Sequence, residues 1–181
     1  MSQALAEVMR ALDFAAHHHA HQRRKGAAKE PYINHLAEVA NLLAEATEGR
    51  DPTLVIGGLL HDLIEDQDVT ADEIAARFGR DVADLVLEVT DDRALSRAER
   101  KQQQIETAAG KTRRARMLKL ADKTSNLRSM ATSPPVDWSA ERRAEYVEWA
   151  KRVADECRGV SPALERAFDE AYRRAAPAAA G

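Results

Sequence analysis

The stretch Gly58-Leu-Leu-His61-Asp62-Leu-Ile-Glu65-Asp66 constrains the fold more than any other. Four ionisable side chains sit among Leu59, Leu60, Leu63 and Ile64, in a segment apolar enough to be buried. Burying unpaired charge costs several kcal/mol, so something must compensate them. Treated as one helix at about 100° per residue, His61, Asp62, Glu65 and Asp66 fall at roughly 0°, 100°, 40° and 140°, on one face. That face reads as a metal and acid–base site. A surface helix end with solvated carboxylates is the plainer alternative, and the apolar neighbours argue against it.

The rest of the chain must supply helices for this one to pack on. Of 181 residues, 44% are hydrophobic and only 4% aromatic, with abundant alanine, a composition that suits packed helices. The expected fold class is all-α, with residues 1–174 as one domain and an Ala/Pro-rich frayed tail at 175–181. A net charge of −3 provides no global basic field for nucleic acid, so an anionic ligand needs a local cluster, and Arg23-Arg24-Lys25 is one. A single cysteine, Cys157, excludes an internal disulfide framework. No window reaches the apolar length of a membrane span, and the N-terminus lacks a signal-peptide core. The expectation is a cytoplasmic protein with no membrane and no nucleic-acid partner.

Apolar residues Leu5, Val8, Met9, Leu12 and Ala15/Ala16 recur at helical spacing and predict a first amphipathic helix ending in His17-His18-His19-Ala-His21. Three consecutive histidines point in different directions, so this cluster reads as helix-end charge, which the dipole favours, rather than as ligands. Gln22 to Ile33 breaks periodicity and reads as a loop whose cations either meet phosphate or are simply solvated. Asn34 is expected to cap a helix running to Gly49, with His35 in its first turn. Asp51-Pro52 opens the next, read through to Glu65, with Gly57-Gly58 available for close packing. Thr70-x-x-Glu73 and Ser96-x-x-Glu99 read as capping boxes. Val82, Leu85, Val86 and Val89 mark a further helix between them. A long helix over roughly Thr112 to Met130 carries Asp122 and Asn126 one turn apart, suited to a ligand plus a substrate contact or to a mutual hydrogen bond. After Ser133-Pro134-Pro135, a helix from Trp138-Ser139 aligns Arg142, Tyr146 and Trp149, and Ser161-Pro162 opens the last.

The candidate ligands are therefore His35, His61, Asp62 and Asp122, each group on a different predicted helix. Mixed N/O ligation suits a divalent first-row metal. This order resembles the HD superfamily of metal-dependent phosphohydrolases. The surrounding words narrow it: Gln22-Arg-Arg-Lys25, Pro31-Tyr-Ile-Asn-His35, Leu60-His-Asp-Leu-Ile-Glu-Asp66, Glu88-Val-Thr-Asp-Asp92, Lys119-Leu-Ala-Asp-Lys123, Asn126-Leu-Arg128 and Tyr146-x-x-Trp149-Ala150. Over about residues 3 to 172 they resemble the hydrolase domain of RelA/SpoT proteins and its stand-alone form, the small alarmone hydrolases.

The resemblance implies an all-helical HD domain that removes the 3′-pyrophosphate of (p)ppGpp, ppGpp or pppGpp, to give GDP or GTP and pyrophosphate. It implies His35, His61, Asp62 and Asp122 as metal ligands, with Mn²⁺ the usual ion, and Glu65 and Asp66 as catalytic carboxylates. Arg24 and Lys25 match cations near the substrate phosphates, Asn126 a residue near the nucleotide, and Arg142 and Tyr146 further substrate contacts. Glu65, nearer His61 around the helix, is expected to activate the attacking water. Two departures stand out. Thr124-Ser125 replaces a large residue followed by His or Tyr, which leaves a smaller wall beside the nucleotide; Leu63 and Gln67 replace common small residues. Competing readings are an HD phosphatase acting on NADPH or a deoxynucleotide, and a nucleotide-binding sensor without turnover. The sensor would be expected to have lost a ligand or a carboxylate.

Overall fold

A computed structural model describes residues 3–180. Ten helices follow one another: α1 (Gln3–His18), α2 (Ile33–Thr47), α3 (Pro52–Leu60), α4 (Leu63–Asp66), α5 (Ala71–Phe78), α6 (Arg80–Val89), α7 (Arg97–Ala108), α8 (Arg113–Thr132), α9 (Ala140–Glu156) and α10 (Pro162–Ala180). Among the described residues the only β pairing is two isolated bridges, so the all-α expectation holds. Among the described residues no helix is long and apolar enough to cross a membrane.

The layout follows from α3 and α8. Every residue of α3 from Leu54 to Leu60 is buried, so neighbours must cover it on all sides. At about 1.5–3 kcal/mol per fully buried leucine, this segment is a large part of the driving force. Gly57 and Gly58 make the cover possible: a Cβ there would lie 2.6 Å from Leu85 of α6 and 2.7 Å from Leu43 of α2. The close approach expected of the two glycines is thus to neighbouring helices. α8 packs against α10, α2, α9, α6 and α3, and buries Leu118, Leu120, Ala121 and Leu127.

Several boundaries differ from expectation. The helix opened by Asp51-Pro52 does not run through to Glu65. It stops at Leu60, His61 and Asp62 form a turn with Asp62 at φ −97°, ψ −2°, and α4 is a separate single turn. α2 begins at Ile33, and Tyr32 rather than Asn34 holds the cap position, with no side-chain cap bond. Ser96 and Glu99 make both halves of a capping box, whereas Thr70 accepts from Glu73 N without the return bond, and Glu73 pairs with Arg77 instead. On α1 the core-facing residues are Ala11 and Ala15; Leu5 and Met9 stay half exposed. Ala11 and Ala15 let α1 lie close on α3, with Val8, Leu12 and Phe14 packed beside them against the core. The tail expected at 175–181 ends on Gly181, which lies outside the described residues; before it, α10 continues past Pro177 to Ala180, with Ala175 and Ala179 buried. Alanine's helix propensity and this burial outweigh the one backbone bond that proline removes.

Candidate active site

His35 comes from the first turn of α2, His61 and Asp62 from the turn between α3 and α4, and Asp122 from the middle of α8. The apolar faces of these helices make the core, so their few polar side chains are carried inward and meet one another. His35 Nε2 lies 3.7 Å from Asp62 Oδ2 and 3.4 Å from Asp122 Oδ1; His61 Nε2 lies 3.2 Å and 3.8 Å from the same two atoms. The structure brings all four sequence-predicted ligands to one point.

Each is fastened from behind. His61 Nδ1 donates to Gly58 O (2.9 Å), which in the neutral ring leaves Nε2 as the acceptor nitrogen, and that buried Nε2 makes no hydrogen bond although it faces the two carboxylates. Asp62 Oδ2 accepts from Tyr32 Oη (2.6 Å). Asp122 accepts from Lys123 Nζ (2.9 Å) and Asn126 Nδ2 (2.6 Å). Burial opposes charge throughout. It lowers the pKa of His35 and raises that of Tyr32, while Lys123 beside Asp122 holds this carboxyl well below the usual range. At His61 the burial penalty is outweighed by Asp62 and Asp122, which push its pKa up to about 9. The carboxylates demand a positive charge here, and an orphaned buried nitrogen between them fits a divalent cation. His35, His61 and Asp62 alone bring ligand atoms within 4.8 Å of one another, a site able to hold a metal ion.

A cleft of ≈ 380 Å³ opens beside this centre. Its floor is Asp62, Glu65 and Asp66; its cationic wall is Arg23, Arg24, Lys25 and Arg97; its other side is Asn126, Met130, Trp138 and Tyr146. Glu65 Oε1 accepts from the backbone N–H of Asp91 (2.6 Å). Burial raises its pKa and that N–H opposes the rise, leaving a net increase. Asp66 is exposed at the rim and accepts from Gln22 Nε2 (2.7 Å). Arg24 and Lys25 lie on a connection tied down by main-chain contacts: Arg24 N donates to Glu30 O (2.9 Å), Arg23 bridges Pro31, and Gly26 bridges Pro135. Arg142 is not on the cleft surface; its guanidinium stacks over Trp138 at 4.5 Å, behind the wall that Trp138 and Tyr146 form. Ser125 does not face the cleft either. It is buried against α2 and lines a smaller pocket that shares Arg24 and Ser129 with the cleft.

Sequence reasoning missed three groups. Arg97 left no signal, because a cation in the first turn of a charged helix is unremarkable. Lys123, read only as part of a motif, is the ion-pair partner of Asp122 and lies 4.6 Å from the Trp149 ring centre. His19, grouped with helix-end histidines, is buried, stacks on Tyr32 at 5.1 Å and hydrogen-bonds with Gln22. Gln67 donates to Gln22 as well, so Gln22, Gln67 and His19 together position Asp66. His17 and His21 are exposed as expected.

An all-helical fold carrying an imidazole, a His-Asp turn and a distant aspartate around one point defines a class, and the model of the HD domain family matches residues 11–153. The chain belongs to the HD domain family. Within it, the chain is 43% identical over 169 residues to guanosine-3′,5′-bis(diphosphate) 3′-pyrophosphohydrolase MESH1 of Drosophila melanogaster, covering 93% of this chain and 94% of that protein. It is 41% identical to the Homo sapiens MESH1, covering 96% and 97%. A solved structure of a metazoan ortholog of SpoT, described as hydrolysing ppGpp and playing a role in starvation responses, superposes with a TM-score of 0.89 at 43% identity, covering 93% of this chain and 94% of that one. The resemblance to RelA/SpoT-type hydrolases is borne out.

Proposed function

We propose that the chain hydrolyses the 3′-pyrophosphate of ppGpp and pppGpp, with Mn²⁺ held by His35, His61, Asp62 and Asp122. One observation carries this: a convergent N/O ligand set lies beside a partly buried carboxylate of raised pKa, at the foot of a cleft whose wall is cationic. The relatives act on this class of substrate.

A bound divalent cation would lower the pKa of water and offset the charge of the phosphate oxygens. The protein's own groups do the rest. Glu65 is fixed by the Asp91 N–H and is the proton acceptor for the attacking water; its raised pKa brings it closer to working pH, where transfer is efficient. Water oxygen bonds to the phosphorus at the 3′ position, the bond from phosphorus to O3′ breaks, and O3′ takes up a proton as GDP or GTP departs. Arg24, Lys25 and Arg97 hold the pyrophosphate through charge-assisted hydrogen bonds. Asp66, held by Gln22, orients the phosphate from the rim, and Asn126, Tyr146 and Trp138 shape the nucleoside side.

The test is an assay of Mn²⁺-loaded protein against ppGpp, pppGpp, NADPH and a deoxynucleotide with products separated. Pyrophosphate from the 3′ position is the expected product. Orthophosphate from NADPH alone would replace this reading with that of an HD phosphatase, and tight binding without turnover with that of a sensor.

A further inference from the structure

His61 and His35 are both aimed at the metal position, but they are held differently. His61 is locked by a backbone carbonyl, that of Gly58. His35 sits in the first turn of α2 and meets side chains instead. Its Nδ1 lies 2.8 Å from Ser125 Oγ, that hydroxyl donates to Glu38 Oε2 (2.7 Å), and Arg128 Nη1 donates to Glu38 Oε1 (2.9 Å). A serine hydroxyl has one proton. Because that proton goes to Glu38, Ser125 must accept from His35, so Nδ1 carries the ring hydrogen and Nε2 the lone pair. The lone pair then faces Asp62 Oδ2 and Asp122 Oδ1, where a cation is needed.

We propose that Ser125 and Glu38 form a hydroxyl–carboxylate relay, anchored by Arg128, that holds His35 in the one tautomer able to ligate a divalent cation. Both are positioning residues: they line a smaller pocket beside the cleft rather than the cleft itself, and act on the metal position through His35. Partners of this kind typically contribute a factor of about 10–100 to metal affinity, by fixing the ring and raising its basicity. The inference rests on the metal-site part of the function proposed above and is independent of the substrate, since no nucleotide enters its test.

Mn²⁺ dissociation constants would be measured by competition with a chelating dye for the parent chain, Ser125→Ala, Glu38→Gln and the double variant. Ser125→Ala removes the acceptor for Nδ1–H. Glu38→Gln offers an amide donor to Ser125, which frees the hydroxyl to turn toward the ring and favours the wrong tautomer. Each should weaken Mn²⁺ binding about 10- to 100-fold. The double variant should be no weaker than the poorer single by more than about twofold, because the second change acts on a relay already broken. In Zn²⁺-loaded protein labelled with ¹⁵N-histidine, the slowly exchanging Nδ1 proton of His35 should be present in the parent and lost in Ser125→Ala. Parent-like affinity in Glu38→Gln, which alters a half-buried residue and decides the matter alone if Ser125→Ala does not fold, would overturn the relay. Losses that multiply in the double variant would overturn it too.

Discussion

The buried centre and the cationic wall of the same cleft are built in opposite ways. At the centre, His35, His61, Asp62 and Asp122 are held by side chains and carbonyls of α2, α3 and α8, the helices that also form the core. At the wall, Arg24 and Lys25 ride on a helix-free connection, and what fixes them is mainly backbone: the Arg23–Pro31 and Gly26–Pro135 bridges and the Ala27 N–H on Pro134 O (3.3 Å). The centre cannot be altered without disturbing the packing that folds the chain, whereas the wall can change charge or position at little cost to stability. Metal binding should therefore be coupled to folding, and substrate affinity should not.

The largest effect expected from breaking this contrast is at Asp122. Asp122→Asn keeps the volume but removes the charge that offsets the cation and pairs with Lys123. Turnover should fall by about 10³-fold or more, together with metal content by elemental analysis. Removing the ion from the parent with a chelator should also lower the melting temperature. A ligand at a hundredfold excess over its Kd stabilises by about 2.7 kcal/mol, or roughly 5–10 °C for a chain of this size. A melting curve indifferent to chelation would detach the centre from the fold. Next comes Glu65→Gln, which cannot take a proton and should cut kcat by about 10²- to 10⁴-fold with metal content and substrate affinity retained. A variant that loses metal instead would put Glu65 in the centre as a ligand and leave the base unassigned.

The same contrast explains what could be read from the sequence. The His61-Asp62 pair was legible as a candidate site because it interrupts an apolar segment, and burial makes such an interruption costly unless the fold answers it; His35, in a first turn, and Asp122, one turn from Asn126, gained their place beside it only from the resemblance and from where the fold puts them. The break at His61–Asp62 was not, since nothing local opposes a helix running on from Leu60 to Glu65; the turn exists because both side chains must face α2 and α8 at once. His19 was hidden by the exposed His17 and His21 around it. Arg97 and the seat of Arg142 behind Trp138 depend on how α7, α9 and the Ser133–Trp138 connection come together, and no periodicity within one helix encodes that.

On the wall, Arg24→Ala and Lys25→Ala should each raise KM for ppGpp by about 10- to 100-fold, the loss of one charge-assisted hydrogen bond to phosphate. The two together should flatten the dependence of KM on ionic strength, because fewer screened attractions remain. Metal content and melting temperature should stay at parental values. A drop in either would mean that the wall is structural and would erase the distinction drawn above.

The smallest effect, and the sharpest test of how the wall is held, is at Gly26. A Cβ on this buried residue would lie 2.1 Å from the carbonyl oxygen of Ser133, a backbone atom that cannot rotate aside. Gly26→Ala must therefore push the connection off the Ser133–Pro135 segment and loosen the bridge to Pro135, and with it the neighbouring Ala27 N–H bond to Pro134 O. Overpacking of this kind costs about 1–3 kcal/mol where the surroundings are rigid. Here the strained piece is a surface connection that opens without the core, so most of the cost should appear as lost order in the loop rather than as global unfolding. Arg24 and Lys25 keep their charges but lose their fixed placement, and KM should rise by about three- to tenfold, less than when either charge is deleted. Hydrogen exchange should speed up at the Arg24 and Ala28 amides and stay unchanged in α3 and α8. If Mn²⁺ affinity falls along with loop protection, the strap reaches the centre as well, and wall and centre are one mechanical unit; an unchanged KM would mean that the two cations find the phosphates without it.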